Sequence, residues 1–187
     1  MQTFDNVTYS LPNIDSKCFV VVAKDCSDEN NFLILLKTSE QKSIIRLYLE
    51  NSHRIDLIPT DQGISVYINA NQVSVTQSEP YEHRIKSGDK DIELFSIAYN
   101  GLYYKLEAKG LGISITTDGF GLSAGVERYY SGKVCGICGD NNGDASHEFR
   151  ASNGRVFKNP EPFAKSYVLK DNECLQTNDW KTDSELI

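Results

Sequence analysis

The sequence predicts an all-β fold: an antiparallel β-sandwich with a short C-terminal helix, stapled by disulfides. Three observations carry that expectation. Short β-branched or aromatic runs, often alternating, recur with turn residues between them. Two of the intervening pairs, Asn100-Gly101 and Asp118-Gly119, are hairpin dipeptides, because both central residues of such a turn need positive φ. No sustained helical period appears before Pro160. Many short strands at close turn spacing favour a sandwich or barrel over a doubly wound parallel sheet.

Taken in order, the expected strands begin with Cys18–Asp25, a valine-rich run, and Phe32–Thr38, rich in leucine and isoleucine. Ser43–Leu49, Arg54–Ile58, Ile64–Asn69 and Val73–Gln77 follow, each bounded by polar turn residues. Ile92–Tyr99 and Leu102–Ala108 flank Asn100-Gly101, and Ile113–Thr117 and Leu122–Arg128 flank the glycines around Gly119. Pro160–Lys170 reads as the helix, with Pro162 in its opening turn and Phe163, Tyr167 and Val168 along it. From Leu175 the composition turns polar, so residues 1–175 read as one domain and 176–187 as a tail or linker.

At 187 residues the chain is long enough to bury a substantial core. Its net charge of −7 supplies no basic field for a nucleic acid or an anionic membrane. No run approaches the ~20 apolar residues of a membrane span, and Met1 to Ser10 lacks the layout of a signal peptide. Five cysteines and the sequon Asn6-Val7-Thr8 lean toward a secreted, extracellular glycoprotein, with Asn6 as the glycan acceptor. If the segment is extended, Asn6 faces away from Asp5. Cys18 and Cys26 lie on one apparent strand, about 26 Å apart if extended, whereas bridged Cα atoms lie within about 7 Å. They do not pair with each other unless that strand folds back.

The chemistry concentrates in Cys135-Gly136-Ile137-Cys138-Gly139-Asp140-Asn141-Asn142-Gly143-Asp144-Ala145-Ser146-His147-Glu148. A C-x-x-C has three readings: a thiol-disulfide active pair, half of a zinc site, or structural cystine. The first needs a helix N-terminus to activate the thiol, and the second needs a further ligand pair at matching spacing. Neither context is visible, so structural cystine is preferred. The D-x-N-x-D run around Gly143 offers oxygens of the kind hard cations take, but the same residues build ordinary turns. His53 and His83 lie in polar surroundings and read as surface residues. Ser131 lacks the G-x-S-x-G frame of a nucleophile elbow. With no catalytic constellation in view, the chain reads as a non-enzyme.

Thr3-Phe4-Asp5 with Tyr9, the Cys18 to Cys26 strand, the Cys135-Gly136-Ile137-Cys138-Gly139 loop with Asp140-Asn141-Asn142-Gly143, and the closing Cys174 together resemble the von Willebrand factor type D domain. The resemblance runs from about Thr3 to Cys174. Within that family the low cysteine number looks most like the domain near the C-terminal end of vitellogenins, the yolk lipoprotein precursors, and of an insect one. Two departures stand out. Asn6 replaces the usual glycine after Phe4-Asp5, and the upstream cysteine and histidine of the family opening are absent.

The resemblance implies a structural Ca²⁺ held by Asp5, Asp140, Asn142, the backbone carbonyl of Asp144, His147 and Glu148. An imidazole at 147 is a poorer ligand for a hard cation than the amide oxygen usual there. It also implies bridges Cys18–Cys174 and Cys26–Cys135, with Cys138 unpaired because its usual partner precedes Met1. The implied role is a calcium-binding structural and interaction module of a secreted lipid-transport and storage protein. Its implied partners are the parent's other domains, with a receptor or self-association beyond them.

Overall fold

A computed structural model describes residues 1–50, 52–169 and 174. The tail expected at 176–187 lies outside them. Over the described residues the chain forms β1 (Val20–Asp25), β2 (Phe32–Ser39), β3 (Lys42–Leu49), β4 (His53–Thr60), β5 (Gly63–Ile68), β6 (Asn71–Val73), β7 (Tyr81–Ser87), β8 (Lys90–Tyr99), β9 (Tyr104–Ala108), β10 (Ile113–Thr117), β11 (Leu122–Val126) and β12 (Val134–Cys135), followed by α1 (Pro160–Lys165). Two sheets result, ordered β12-β1-β2-β3-β4-β5-β6 and β11-β10-β9-β8-β7. Their ladders are antiparallel, so the predicted all-β fold with one short C-terminal helix is the one observed.

Alternation places one face of each sheet in the core. On β3 the buried positions are Ser43, Ile45, Leu47 and Leu49, with Ile44, Arg46 and Tyr48 between them half-buried. Ile55 and Leu57 of β4, Phe95 and Ile97 of β8, Leu106 of β9 and Ile115 of β10 join the same buried cluster. β1 and β2 behave differently: Val20 to Ala23 and Phe32 to Leu36 are buried at consecutive positions. Since successive side chains point to opposite faces, both faces of this part of the sheet are covered. Each buried leucine, isoleucine or phenylalanine contributes on the order of 2 kcal/mol.

The free edge of β1 positions the rest of the molecule. Lys24 and Asp25 pair with β12. Farther along that edge the Val21 and Val22 carbonyls accept from the Ile137 and Cys138 amides, both at 3.0 Å, so the C-x-x-C segment is laid along the strand. The chain returns after α1 to the same strand: Val21 N–H donates to the Tyr167 carbonyl, and Leu169 N–H to the Phe19 carbonyl. Helix α1 therefore stops at Lys165 instead of running to Lys170, because its continuation pairs with β1, with Val168 bridging Val20. Cys18 is joined to Cys174 and Cys26 to Cys135, with Cα separations of 4.8 and 5.9 Å.

Several expectations are corrected. The strand read at Val73–Gln77 is the short β6, ending at Val73. β7 and β12 were not expected. β7 carries Tyr-Glu-His-Arg-Ile-Lys-Ser, and its half-buried positions are Tyr81, His83 and Ile85. Two of those three are polar, and that hides the strand from an apolar-pattern reading. Neither Asn100-Gly101 nor Asp118-Gly119 forms a two-residue turn. Each opens a four-residue loop in which only the glycine has positive φ, 95° at Gly101 and 92° at Gly119. The Asn100 and Asp118 side chains instead cap the loop: Asn100 Oδ1 accepts from Leu102 and Tyr103 N–H, and Asp118 Oδ1 from Phe120 and Gly121 N–H. Turns with two positive φ values occur at Glu40-Gln41 and Asn69-Ala70, neither of which carries a glycine.

Candidate metal centre

Asp5 sits on a tight turn at the start of the chain. Thr3 N–H donates to the Val7 carbonyl and Asn6 N–H to the Thr3 carbonyl, which Asn6 allows by adopting φ of 64°. This turn hangs on the C-x-x-C segment, since Phe4 N–H donates to the Cys138 carbonyl at 2.8 Å. The Tyr9 hydroxyl adds a second tie, donating to the Ile137 carbonyl at 2.7 Å. Asp5 then reaches across to the following loop. Its two oxygens accept from Asn142 N–H at 3.0 Å and Gly143 N–H at 2.9 Å.

Three carboxylates converge there. Oxygens of Asp5, Asp140 and Glu148 lie within 4.8 Å of one another. Glu148 is buried, yet neither of its oxygens has a hydrogen-bond partner, and Oδ1 of Asp140 lacks one too. Buried acceptors in native proteins are ordinarily satisfied, so three orphans at one point need an explanation. Burial pushes the Glu148 carboxyl up to about 7; the charges of Asp5 and Asp140 push the same way, and the nearby Thr3 hydroxyl works against them. Three carboxylates carry six oxygens, the donor type and number that a hard divalent cation takes.

Two glycines make this approach possible. A Cβ at Gly139, which has φ of 82°, would fall inside the Glu148 carboxylate. A Cβ at Gly136 would lie 2.5 Å from the Val22 carbonyl oxygen, blocking the seat of the segment on β1. The sequence reading quoted both glycines as motif letters and missed their role. The C-G-x-C-G spacing was the available signal.

Of the other residues that the resemblance assigned to the ion, the Asn142, Asp144 and His147 side chains have partners within the loop. Asn142 donates to Asp140 Oδ2 at 2.9 Å, and its own Oδ1 accepts from Asp144 N–H at 2.6 Å. The carboxylate of Asp144 accepts from Ser146 N–H; the resemblance assigns the ion its backbone carbonyl instead. His147 is exposed, with Nδ1 2.8 Å from the Ser146 hydroxyl and 3.6 Å from Asp144. The alternating Asx side chains thus cap successive backbone amides of the loop, and the cluster draws its carboxylates from residues 5, 140 and 148.

Cys135 is bridged to Cys26, so the C-x-x-C is not a dithiol. Cys138 is buried and unbridged, and burial with the neighbouring Glu148 charge pushes its thiol up to about 12. A thiol held protonated at neutral pH is a poor nucleophile. With Cys135 bridged, the C-x-x-C offers neither a dithiol pair nor two thiolates to a metal.

Two further positions are corrected. His53 and His83 lie on strands β4 and β7, facing each other across the sheets at 4.8 Å between ring centroids. His83 also stacks on the buried Phe95 at 4.9 Å and 10°. Asn6 is exposed, as a glycan acceptor must be, and it lies in a left-handed turn and not in the extended strand expected.

A family model of the von Willebrand factor type D domain matches residues 1–155. Among curated proteins the chain is similar to vitellogenin-6 of Oscheius tipulae, at 27% identity over 93% of the chain. It is also similar to vitellogenin-1 of Fundulus heteroclitus, at 26% identity over 100% of the chain, and to vitellogenin of Oncorhynchus mykiss, at 28% over 96%. It spans 10% of the length of each of these relatives.

Proposed function

The chain belongs to the von Willebrand factor type D family, and from that premise we propose that it is a calcium-bound structural and interaction domain of a secreted, vitellogenin-type yolk lipoprotein precursor. It carries no catalytic role in this reading. The observation that supports it most is the convergence of Asp5, Asp140 and Glu148 with three partnerless buried oxygens. A bound Ca²⁺ would supply the positive charge that offsets their mutual repulsion. Asp5, Asp140 and Glu148 would hold it, with Asn142 and Gly143 N–H keeping the Asp5 carboxylate aimed at the loop.

Because Asp5 and Asp140 lie 135 residues apart, a shared ion clips the opening turn to the loop after the C-x-x-C. The two long-range disulfides suit an extracellular setting, and the docking of such a domain to the rest of a much longer parent suits the tenth of its relatives' length that it spans. Receptor contact and self-association remain partners of the same proposal. The exposed Asn6 carries glycan in this reading, which mass spectrometry of protein from secreting cells tests at that asparagine.

The proposal is tested by thermal unfolding with and without chelator. Chelation lowers the midpoint, and calcium restores it better than zinc, because ion binding to the folded state adds ~2.7 kcal/mol at a hundredfold excess over Kd. Equal midpoints in folded, metal-free and calcium-loaded protein overturn it.

A further inference from the structure

A second set of metal-ligating side chains lies where the two sheets face each other, and it shares no residue with the carboxylate cluster. His53 opens β4 of the seven-stranded sheet, and His83 lies on β7 of the five-stranded sheet. Their rings meet with centres 4.8 Å apart and planes at 65°. Both are half-buried, so the fold holds the pair while solvent still reaches it. His83 is fixed by the fully buried Phe95, which stacks on it at 4.9 Å and 10°. Packing on Phe95 accounts for one imidazole. It gives no reason for a second to meet the first from the opposite sheet.

Each ring has one nitrogen engaged and one free. The Ser52 hydroxyl lies 2.9 Å from His53 Nδ1, and the Tyr81 hydroxyl 3.3 Å from His83 Nδ1, whereas no described residue hydrogen-bonds Nε2 of either ring. A ligating imidazole ordinarily donates its other N–H to an oxygen, which fixes the tautomer and bares the second nitrogen for the metal. Both hydroxyl oxygens are placed to accept that proton, which leaves Nε2 bare on both rings. We propose that His53 and His83 bind one divalent transition-metal ion through their Nε2 atoms, clipping the two sheets together. Nitrogens about 2.0 Å from a shared ion lie at most about 4 Å apart, a span within reach of rings whose centres are 4.8 Å apart. Imidazole suits ions of the copper, nickel and zinc kind, and carboxylates suit calcium, so the pair and the Asp5, Asp140 and Glu148 cluster take different metals. The inference does not rest on the calcium reading.

The probe is Cu²⁺, the tightest binder of the divalent series, followed through the NMR ring-proton signals of the chain's three histidines. Calcium is kept in excess throughout, so that the carboxylate cluster does not compete. His53→Gln, His83→Gln and His147→Gln assign the signals, and the exposed His147 serves as the internal control. Below one equivalent of Cu²⁺ the His53 and His83 signals broaden together while His147 stays sharp. In His53→Gln and in His83→Gln, each melting as wild type does, the remaining ring of the pair needs at least about tenfold more Cu²⁺ to broaden. The inference is overturned if His147 broadens before or alongside the pair, if no ring broadens below one equivalent, or if either substitution leaves its partner's broadening unchanged. Where a substitution unfolds the chain, the wild-type titration against His147 decides.

Discussion

Replacing Glu148 by Gln should stabilise the metal-free protein, against the usual expectation for a buried polar residue. The Glu148 carboxyl rises from 4.5 to about 7 through burial and the neighbouring carboxylates. At about 1.4 kcal/mol per pH unit, that rise corresponds to about 3 kcal/mol. Coulomb repulsion agrees: two carboxylates at the cluster's outer separation of 4.8 Å repel by about 3.5 kcal/mol at an effective dielectric of about 20. The sign follows from linkage. The folded-state value lies above the unfolded one, so the penalty is absent below about 4.5, grows as pH rises, and is complete above about 7. Glutamine removes the charge and brings an amide that can donate to Asp5 or Asp140. In chelator at pH 8, urea unfolding of Glu148→Gln should therefore be shifted up by as much as about 1 M, given a slope of about 3 kcal/mol per molar. At pH 5 most of that difference should vanish. A variant less stable than wild type at pH 8, or a difference that does not change with pH, would refute the electrostatic account.

The remaining predictions concern the histidine pair and the buried thiol. Burial, and then the facing His53, hold the His83 imidazole below its ordinary value, so the folded state resists its protonation and stability is lost as pH falls below about 6.5. In the Glu148→Gln background, where the opposing carboxylate effect is gone, stability should fall between pH 7 and pH 5, and His53→Gln should reduce that fall. NMR titration should find His83 below the ordinary value in wild type and closer to it in His53→Gln; an unchanged titration removes the coupling. Cys138 should resist alkylation by iodoacetamide at pH 8 in the native protein and react fully in urea, because it is 5% exposed and its thiol is pushed up to about 12. Native-state labelling at the rate of a free thiol would contradict the buried, protonated assignment.

The legible part of the fold was the part where one side chain type carries each signal. β3 alternates buried and half-buried positions, and β10 was bounded to the residue because both of its ends abut turn glycines or an Asx cap. β7 escaped because two of its three half-buried positions are Tyr81 and His83, whose rings pack on Phe95. The tight turns at Glu40-Gln41 and Asn69-Ala70 escaped because their strand registers impose positive φ on residues that do not advertise it. At the candidate site, Asp5 could be linked to Asp140 only through resemblance, since no local spacing connects residues so far apart. Within the loop the spacing carries a second signal. The Asn142 and Asp144 side chains cap the amides of residues 144 and 146, as the turn reading of the same residues expects.

The most direct test of the central claim is calorimetric titration of metal-free protein with calcium, on wild type, Asp5→Asn and Asp140→Asn. The account predicts one calcium per chain in wild type and loss of binding in both variants with the fold retained, since each removes a charge from the three-carboxylate cluster. Absence of calcium binding to the folded wild-type chain, or binding that survives both substitutions unchanged, would contradict it.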